Sequence, residues 1–232
     1  MKKQNTTKQS HFTPRQFLAH VAALALLAAS GGSVLAAETA TAKPAESLKR
    51  LQEGNERFAA GTSTQTSKDA KRRAEVAQGQ KPFAIVVSCS DSRVGPEVVF
   101  DQGLGDLFVV RTAGHVVDDV GLGSIEYAVE HLGASLILVL GHERCGAVAA
   151  TVAGGEAHGH VSAIVKAIKP AVTKTKGLPG DAVDHAVRAQ VLEVVGQLQK
   201  AGPVLAERVK AGKLKVAGAR YDLDTGRVEV IE

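Results

Sequence analysis

Three short apolar runs dominate the middle of the chain, and each is bounded by polar residues or glycine. They span residues 83–87, 107–110 and 136–140 and are rich in valine, isoleucine or leucine. Continuous apolar runs of this length, without alternation, are typical of strands that are covered on both faces, as in parallel sheets. The pattern therefore predicts a buried, mainly parallel sheet.

Apolar residues spaced three and four positions apart predict helices before, between and after these strands. The predicted helices span residues 47–58, 69–78, 124–132, 147–152, 182–199 and 204–209. Residues 214–221 and 227–231, joined at Asp224-Thr225-Gly226, predict a closing hairpin. This order predicts an α/β fold: a mainly parallel sheet flanked by helices, with an antiparallel edge strand and an N-terminal helical arm.

The first 36 residues have the pattern of an export signal. Residues 1–16 contain four basic residues and no acidic one, and residues 17–29 are almost wholly apolar. Val34-Leu35-Ala36 then supplies the small residues that an export peptidase recognises. A membrane span needs about 20 apolar residues. This apolar run is shorter, so an uncleaved anchor is the weaker alternative. We predict cleavage near Ala36 or Ala37, a periplasmic protein without a stable membrane anchor, a linker over residues 37–46 and a single domain over residues 47–232.

Cleavage would also remove the excess of basic residues. The four charged residues of the leader are all basic, so the 28 Lys+Arg of the full chain become 24, against an unchanged 24 Asp+Glu. A nucleic-acid partner requires a basic excess on the mature domain. The composition therefore predicts no nucleic-acid partner.

The chain contains two cysteines, and each belongs to a polar cluster that follows a predicted strand. Cys89-Ser90-Asp91-Ser92-Arg93 follows the first strand, and His142-Glu143-Arg144-Cys145 follows the third. Because the carboxyl ends of parallel strands meet at one edge of a sheet, we expect the two clusters to lie together. Two thiolates and an imidazole are suitable ligands for zinc with one position left for chemistry. In an exported protein the two cysteines could instead form a disulfide.

Asp91 and Arg93 add a carboxylate and a guanidinium to this predicted site. Asp91 is close enough in sequence to accept a hydrogen bond from a zinc-bound hydroxide, or to bind zinc as a fourth ligand itself. Arg93 can pair with the carboxylate in a forked geometry and keep it ionised. The pair could thus orient a reacting group in one state and block the metal in another.

Cys-Ser-Asp-Ser-Arg together with His-x-x-Cys resembles the β-class carbonic anhydrases, zinc enzymes that interconvert carbon dioxide and bicarbonate. The resemblance extends to residues 54–58, 105–111 and 124–129. It implies reversible hydration of carbon dioxide by metal-bound hydroxide, in a homodimer or tetramer whose pocket lies at a subunit interface. The implied roles are zinc binding for Cys89, His142 and Cys145, catalysis for Asp91 and Arg93, and substrate binding for Gln80 and Tyr127.

Two positions near the implied site, Thr112 and His115, depart from the family. Arg111-Thr112-Ala113-Gly114-His115 stands where the family usually has Arg-Asn-Ala-Gly-Asn. By analogy, His115 would be a proton shuttle or a half-exposed histidine in the place of the asparagine.

Alternatives from other functional classes remain open at this stage. The chain could be a non-catalytic α/β binding protein that is stabilised by zinc or a disulfide, or a related hydrolase of carbon disulfide or carbonyl sulfide. His158-Gly159-His160 could bind a second metal, although a solvated loop before a further helix is the simpler interpretation.

Overall fold

The computed structural model describes residues 42–64 and 69–231. The predicted signal peptide, its cleavage position near Ala36 and the start of the predicted linker lie outside these residues. Within the described part of the chain, no helix combines the length and the apolar character that a membrane crossing needs.

The centre of the fold is a five-stranded sheet. Its strands are β1 (Ala84–Cys89), β2 (Leu107–Thr112), β3 (Leu136–His142), β4 (Lys215–Tyr221) and β5 (Val228–Ile231). Their order is β2-β1-β3-β4-β5; the first four are parallel, and β5 is antiparallel to β4. Every residue of β1 and β3 is buried, which explains why the apolar runs show no alternation. The predicted mainly parallel sheet with an antiparallel edge strand is confirmed.

Helices cover both faces of the sheet. They are α1 (Pro44–Ala59), α2 (Ala70–Val76), α3 (Pro96–Val99), α4 (Asp119–His131), α5 (Gly146–Ala153), α6 (Val161–Thr175), α7 (Ala182–Lys200) and α8 (Val204–Lys210), with a short 3-10 turn at Ala113–His115. One core lies between the sheet and α4, α7 and α8, a second lies between the sheet, α1 and α3, and a third joins Cys89 and Cys145 to α5, α6 and α7. The sequence pattern assigns no bounds to α6, because Pro170 lies inside this helix.

The N-terminal helix α1 docks on its own chain. It begins at Pro44, three residues before the predicted start, because proline has the backbone angle of a first helical residue and needs no amide donor there. Leu51 is fully buried against the sheet, and the Ser47 hydroxyl donates to the Phe83 carbonyl at 3.1 Å. The apolar stripe of this arm therefore packs on its own chain, with Leu48 and Phe58 partly buried.

Asn55 connects α1 to two distant parts of the fold. Its amide donates to the carbonyls of Val99 at 3.1 Å and Gly226 at 2.8 Å, and its carbonyl accepts from the Val228 amide at 2.8 Å. A buried amide side chain with three partners is well satisfied and fixes the geometry of what it touches. The turn between β4 and β5 is thus attached to α1.

Candidate metal centre

Three potential metal ligands lie together at the carboxyl edge of the sheet. Cys89 is the last residue of β1, His142 is the last residue of the neighbouring strand β3, and Cys145 caps the start of α5. Their sulfur and nitrogen atoms lie within 4.8 Å of one another, and all three residues are buried. We refer to Cys89, His142 and Cys145 as the ligand cluster. Its assembly follows from the parallel pairing of β1 and β3, whose ends lie side by side.

The spacing of the two sulfurs fits a tetrahedral zinc site. The Cys89 and Cys145 Sγ atoms are 3.9 Å apart, and both thiols are free. Zinc–sulfur bonds of about 2.3 Å at a tetrahedral angle place two sulfurs roughly 3.8 Å apart, whereas a disulfide needs about 2.05 Å. The structure therefore shows a thiol pair at metal-binding distance and not the disulfide that the sequence left open.

The tautomer of His142 follows from its hydrogen bond. Nδ1 lies 2.8 Å from the Glu143 carbonyl oxygen, which can only accept, so Nδ1 carries the proton and Nε2 keeps a lone pair. Nε2 is buried and has no hydrogen-bond partner among the described residues. A buried nitrogen acceptor without a partner destabilises the folded protein. A zinc ion held by the two adjacent sulfurs would supply that partner. The residues present thus fit zinc.

The two thiols are electrostatically inequivalent without a metal. The hydrogen bond from the Cys145 thiol lowers the pKa of Cys89, with a smaller contribution from the Gly114 amide and against the effect of burial. The same hydrogen bond, together with burial, raises the pKa of Cys145. The pair therefore retains one proton between its sulfurs, and a bound cation would displace it.

Asp91 and Arg93 form the forked pair that the sequence predicts. Arg93 Nε lies 2.9 Å from Asp91 Oδ1, and Arg93 Nη2 lies 2.7 Å from Oδ2. The hydrogen bond from Arg93 holds the pKa of the Asp91 carboxyl well below its usual range. Asp91 Oδ2 is 3.8 Å from His142 Nε2, so the carboxylate lies beside the ligand cluster. Asp91 as a fourth zinc ligand stays a prediction, and both of its oxygens are bonded to Arg93.

Two groups that hold Cys89 in place were not identified from the sequence. Arg111, near the end of β2, donates to the Cys89 carbonyl at 2.9 Å and to the Asp91 carbonyl at 2.6 Å. The Gly114 amide donates to Cys89 Sγ at 3.3 Å. A charged residue at the end of an otherwise apolar strand was the available signal for Arg111. No side-chain pattern could indicate the backbone donor.

Gln80 lies away from the ligand cluster in a single chain, and Tyr127 is half exposed. Gln80 is exposed and precedes the amino end of β1, whereas Cys89 is at the carboxyl end. Six strand residues separate these ends by roughly 17 Å. The Tyr127 side chain is 49% exposed on α4, and its ring contacts that of His131. Their predicted roles in substrate binding stay predictions.

His115 is fully buried, so the interpretation as a half-exposed histidine is wrong. Neither ring nitrogen has a hydrogen-bond partner among the described residues. Burial lowers its pKa to about 4, since the charged form loses its hydration, and the smaller effect of Cys89 acts in the opposite direction. A ring that is neutral and enclosed near pH 7 is poorly suited to carry protons to solvent.

The buried imidazole predicts a pH dependence of stability. A folded-state pKa of about 4, against 6.5 for the exposed ring, means that protons favour the unfolded chain below pH 6.5. The stabilisation is complete above pH 6.5 and is lost as the pH falls to about 4, by about 3 kcal/mol. We expect the free energy of unfolding of the metal-free His115→Asn variant to fall less than that of the wild type over this pH range. Asparagine tolerates the left-handed backbone at this position, where φ is +46°.

Urea unfolding of both metal-free proteins at pH 7, 5.5 and 4 measures the effect. Parallel pH profiles for the wild type and His115→Asn would show that His115 does not titrate with folding.

The histidines at positions 158 and 160 are exposed, and neither belongs to a metal-ligand group in the described ranges. The interpretation of their segment as a solvated loop agrees with this placement, and α6 follows it.

Comparisons with known proteins agree on one family. The sequence profile of the carbonic anhydrase family matches residues 84–228. Carbonic anhydrase 2 of Mycobacterium tuberculosis is 46% identical over 188 residues, which cover 79% of this chain and 91% of that protein. Among solved structures, the β-carbonic anhydrase CcaA superimposes with a TM-score of 0.64 at 27% identity, covering 80% of this chain and 95% of that one. A tetrameric β-carbonic anhydrase of Sordaria macrospora has the same fold, with a TM-score of 0.63 at 24% identity, covering 79% of this chain and 96% of that one.

Proposed function

Because this chain belongs to the β-class carbonic anhydrases, we propose that it catalyses the reversible hydration of carbon dioxide to bicarbonate and a proton. Cys89, His142 and Cys145 would hold the zinc. One observation carries the proposal: three zinc-type ligand atoms lie within 4.8 Å of one another, and a carboxylate lies 3.8 Å from the free nitrogen of the imidazole. When bound, zinc supplies the Lewis acidity that makes water a nucleophile at neutral pH.

Asp91 would accept a hydrogen bond from the attacking water and so aim its lone pair at the substrate carbon. This help matters because two thiolates offset the charge of the zinc ion and weaken its Lewis acidity. Arg93 holds both carboxylate oxygens, which keeps Asp91 ionised as an acceptor and fixes its orientation.

Asp91→Asn tests this role, because the amide keeps the size of the side chain but loses its charge and one acceptor. We expect the rate of carbon dioxide hydration to fall by about 100-fold or more, as is typical when a group that handles a reacting proton is lost. Stopped-flow hydration of carbon dioxide on zinc-loaded protein is the measurement, with zinc content determined on the same sample.

Asp119→Asn is the matched control, because this carboxylate is exposed on α4. Equal rates for the wild type and Asp91→Asn would remove the role of Asp91. A zinc-loaded wild type without hydration activity would overturn the proposed function. Carbon disulfide and carbonyl sulfide, offered in the same assay, would then separate a related hydrolase from a non-catalytic zinc protein.

A second copy of the chain would complete the substrate pocket in our proposal. Gln80 lies at the opposite end of β1 from its own ligand cluster, and Tyr127 is half exposed, so both would serve the site of a partner in a homodimer or tetramer. The Sordaria macrospora relatives, which are described as tetrameric, support an assembly of this kind. Light scattering coupled to the hydration assay checks it: a fully active monomer would contradict the shared pocket.

Export to the periplasm is part of the proposal and is supported by the leader sequence, with four basic residues before an apolar run. Amino-terminal sequencing of the protein from a periplasmic extract should begin near Ala37. A protein retained in the cytoplasm with its leader intact would refute this localisation.

A further inference from the structure

The ligand loop, residues 142–145, contains two residues that bind no metal in our proposal, Glu143 and Arg144. Both direct their side chains to the same element, the hairpin turn at residues 222–226 between β4 and β5. We propose that Glu143 and Arg144 are positioning residues, which fix the spacing of His142 and Cys145 by attaching the ligand loop to the hairpin turn. This inference rests on the proposed function, since it assumes that the two ligands hold zinc.

Glu143 attaches to the hairpin through both its backbone and its side chain. Its amide donates to the Tyr221 carbonyl at 2.9 Å, and its carboxylate accepts from the Leu223 amide at 3.2 Å. Its carbonyl oxygen accepts a hydrogen bond from His142 Nδ1. The side chain is 19% exposed, so these contacts are partly shielded from water. The peptide that orients the His142 ring is thus held on both sides.

Arg144 provides the second attachment. Its guanidinium makes two hydrogen bonds to the Asp224 carboxylate, at 3.0 and 2.7 Å, while its carbonyl oxygen lies 3.5 Å from Arg93 Nη2. The φ angle of Arg144 is +52°, a conformation that a non-glycine residue adopts at a cost. The surrounding contacts must therefore hold this peptide, which directly precedes Cys145.

The hairpin turn is itself well fixed, which it must be to serve as an anchor. The Asp222 carboxylate accepts from the amides of Asp224 and Thr225 and from the Thr225 hydroxyl, at 2.9 to 3.1 Å. Asn55 of α1 holds the Gly226 carbonyl and the Val228 amide. The chain of contacts therefore runs from α1 through the hairpin turn to the ligand loop.

Glu143, Asp222 and Asp224 lie close enough together to bind a cation of their own. Arg144 and Arg220 already pair with these carboxylates, at 2.7 to 3.9 Å. The negative charges of these three carboxylates are thus balanced by arginines of the same protein, which agrees with a positioning role.

Glu143→Ala removes the side-chain attachment, and Glu143→Gln keeps a carbonyl oxygen that can accept from the Leu223 amide. We expect Glu143→Ala to raise the zinc Kd about 10- to 100-fold, as is usual when a group that orients a ligand is lost, and Glu143→Gln to recover most of the affinity. Competition with a chromophoric chelator measures the Kd. The absorption bands of the cobalt(II)-substituted protein report ligand geometry independently of activity.

Exchange of the ion pair tests the second attachment. Arg144→Asp should shift the cobalt bands, and the double variant Arg144→Asp/Asp224→Arg should restore them in part. Glu229→Ala is the matched control, because this carboxylate lies on the same hairpin but pairs with Arg188, at 2.7 Å. It should leave the zinc Kd and the cobalt spectrum unchanged.

The outcomes separate this inference from the function on which it rests. A wild type that binds neither zinc nor cobalt would overturn the metal site itself, and the positioning role with it. A wild type that binds both, beside a Glu143→Ala protein with the same Kd and the same spectrum, would overturn the positioning role alone. If Glu143→Ala does not fold, the charge exchange decides the matter by the same two measurements, because an Arg144→Asp protein with the Kd and spectrum of the wild type would overturn the positioning role.

Discussion

Cys145→Ala should purify with less than about one-tenth of the zinc of the wild type and should lose the hydration activity. The substitution leaves one thiolate and one imidazole, which is one ligand fewer than the three that catalytic zinc sites use. Loss of a group outside the ligand set costs up to about 100-fold. We expect the hydration rate of Cys145→Ala to fall by more than this. Zinc per chain, from elemental analysis after dialysis, and stopped-flow hydration of carbon dioxide measure the two effects.

The double variant His158→Ala/His160→Ala is the control for this experiment. It removes two exposed histidines from a segment that resembles a metal-binding sequence but lies in a solvated loop. It should keep one zinc per chain and the full rate. If Cys145→Ala retained its zinc while the histidine variant lost it, the assignment of the metal to the ligand cluster would be wrong.

Gly54→Ala should destabilise the protein by about 3 kcal/mol or more, or prevent folding. A Cβ atom at Gly54 would lie 1.8 Å from the Phe100 carbonyl oxygen and 2.8 Å from Gln102 Nε2. The backbone oxygen cannot move aside as a flexible side chain could, so α1 and the segment at Phe100 would have to move apart. Thermal and urea unfolding of the metal-free protein measure the loss.

Gly196→Ala is the counterpart to this substitution. Gly196 also lies within a helix, α7, but a Cβ there would meet nothing within 4 Å. Alanine is favoured over glycine in a helix, so this variant should be slightly more stable than the wild type. If alanine changed the stability by the same amount at both glycines, the steric explanation for Gly54 would be wrong.

The parts of the fold that the sequence predicts well are those where one physical signal dominates. β1 and β3 are buried on both faces, so their apolar runs stand out without any knowledge of their neighbours. The assembly of Cys89 with His142 follows from the same strands, because parallel neighbours bring their carboxyl ends together. Local pattern and topology were sufficient for the ligand cluster.

The parts that were not predicted depend on contacts between segments. The burial of His115 could not be predicted from its own short segment, because that segment is of mixed polarity. Helices farther along the chain bury the ring. The contact of Arg111 with Cys89 requires the register in which Ser88 pairs with Arg111. The docking of α1 on its own sheet depends on Asn55, whose partners lie up to 173 residues away.

This last distance has a consequence for biogenesis. The Val228 amide, which Asn55 binds, is synthesised 173 residues after Asn55, so α1 cannot complete its hydrogen bonds until β5 has been made. Contacts of such long range close a large loop and form late. Until then α1 stays incompletely anchored, and the domain is held open by its own topology.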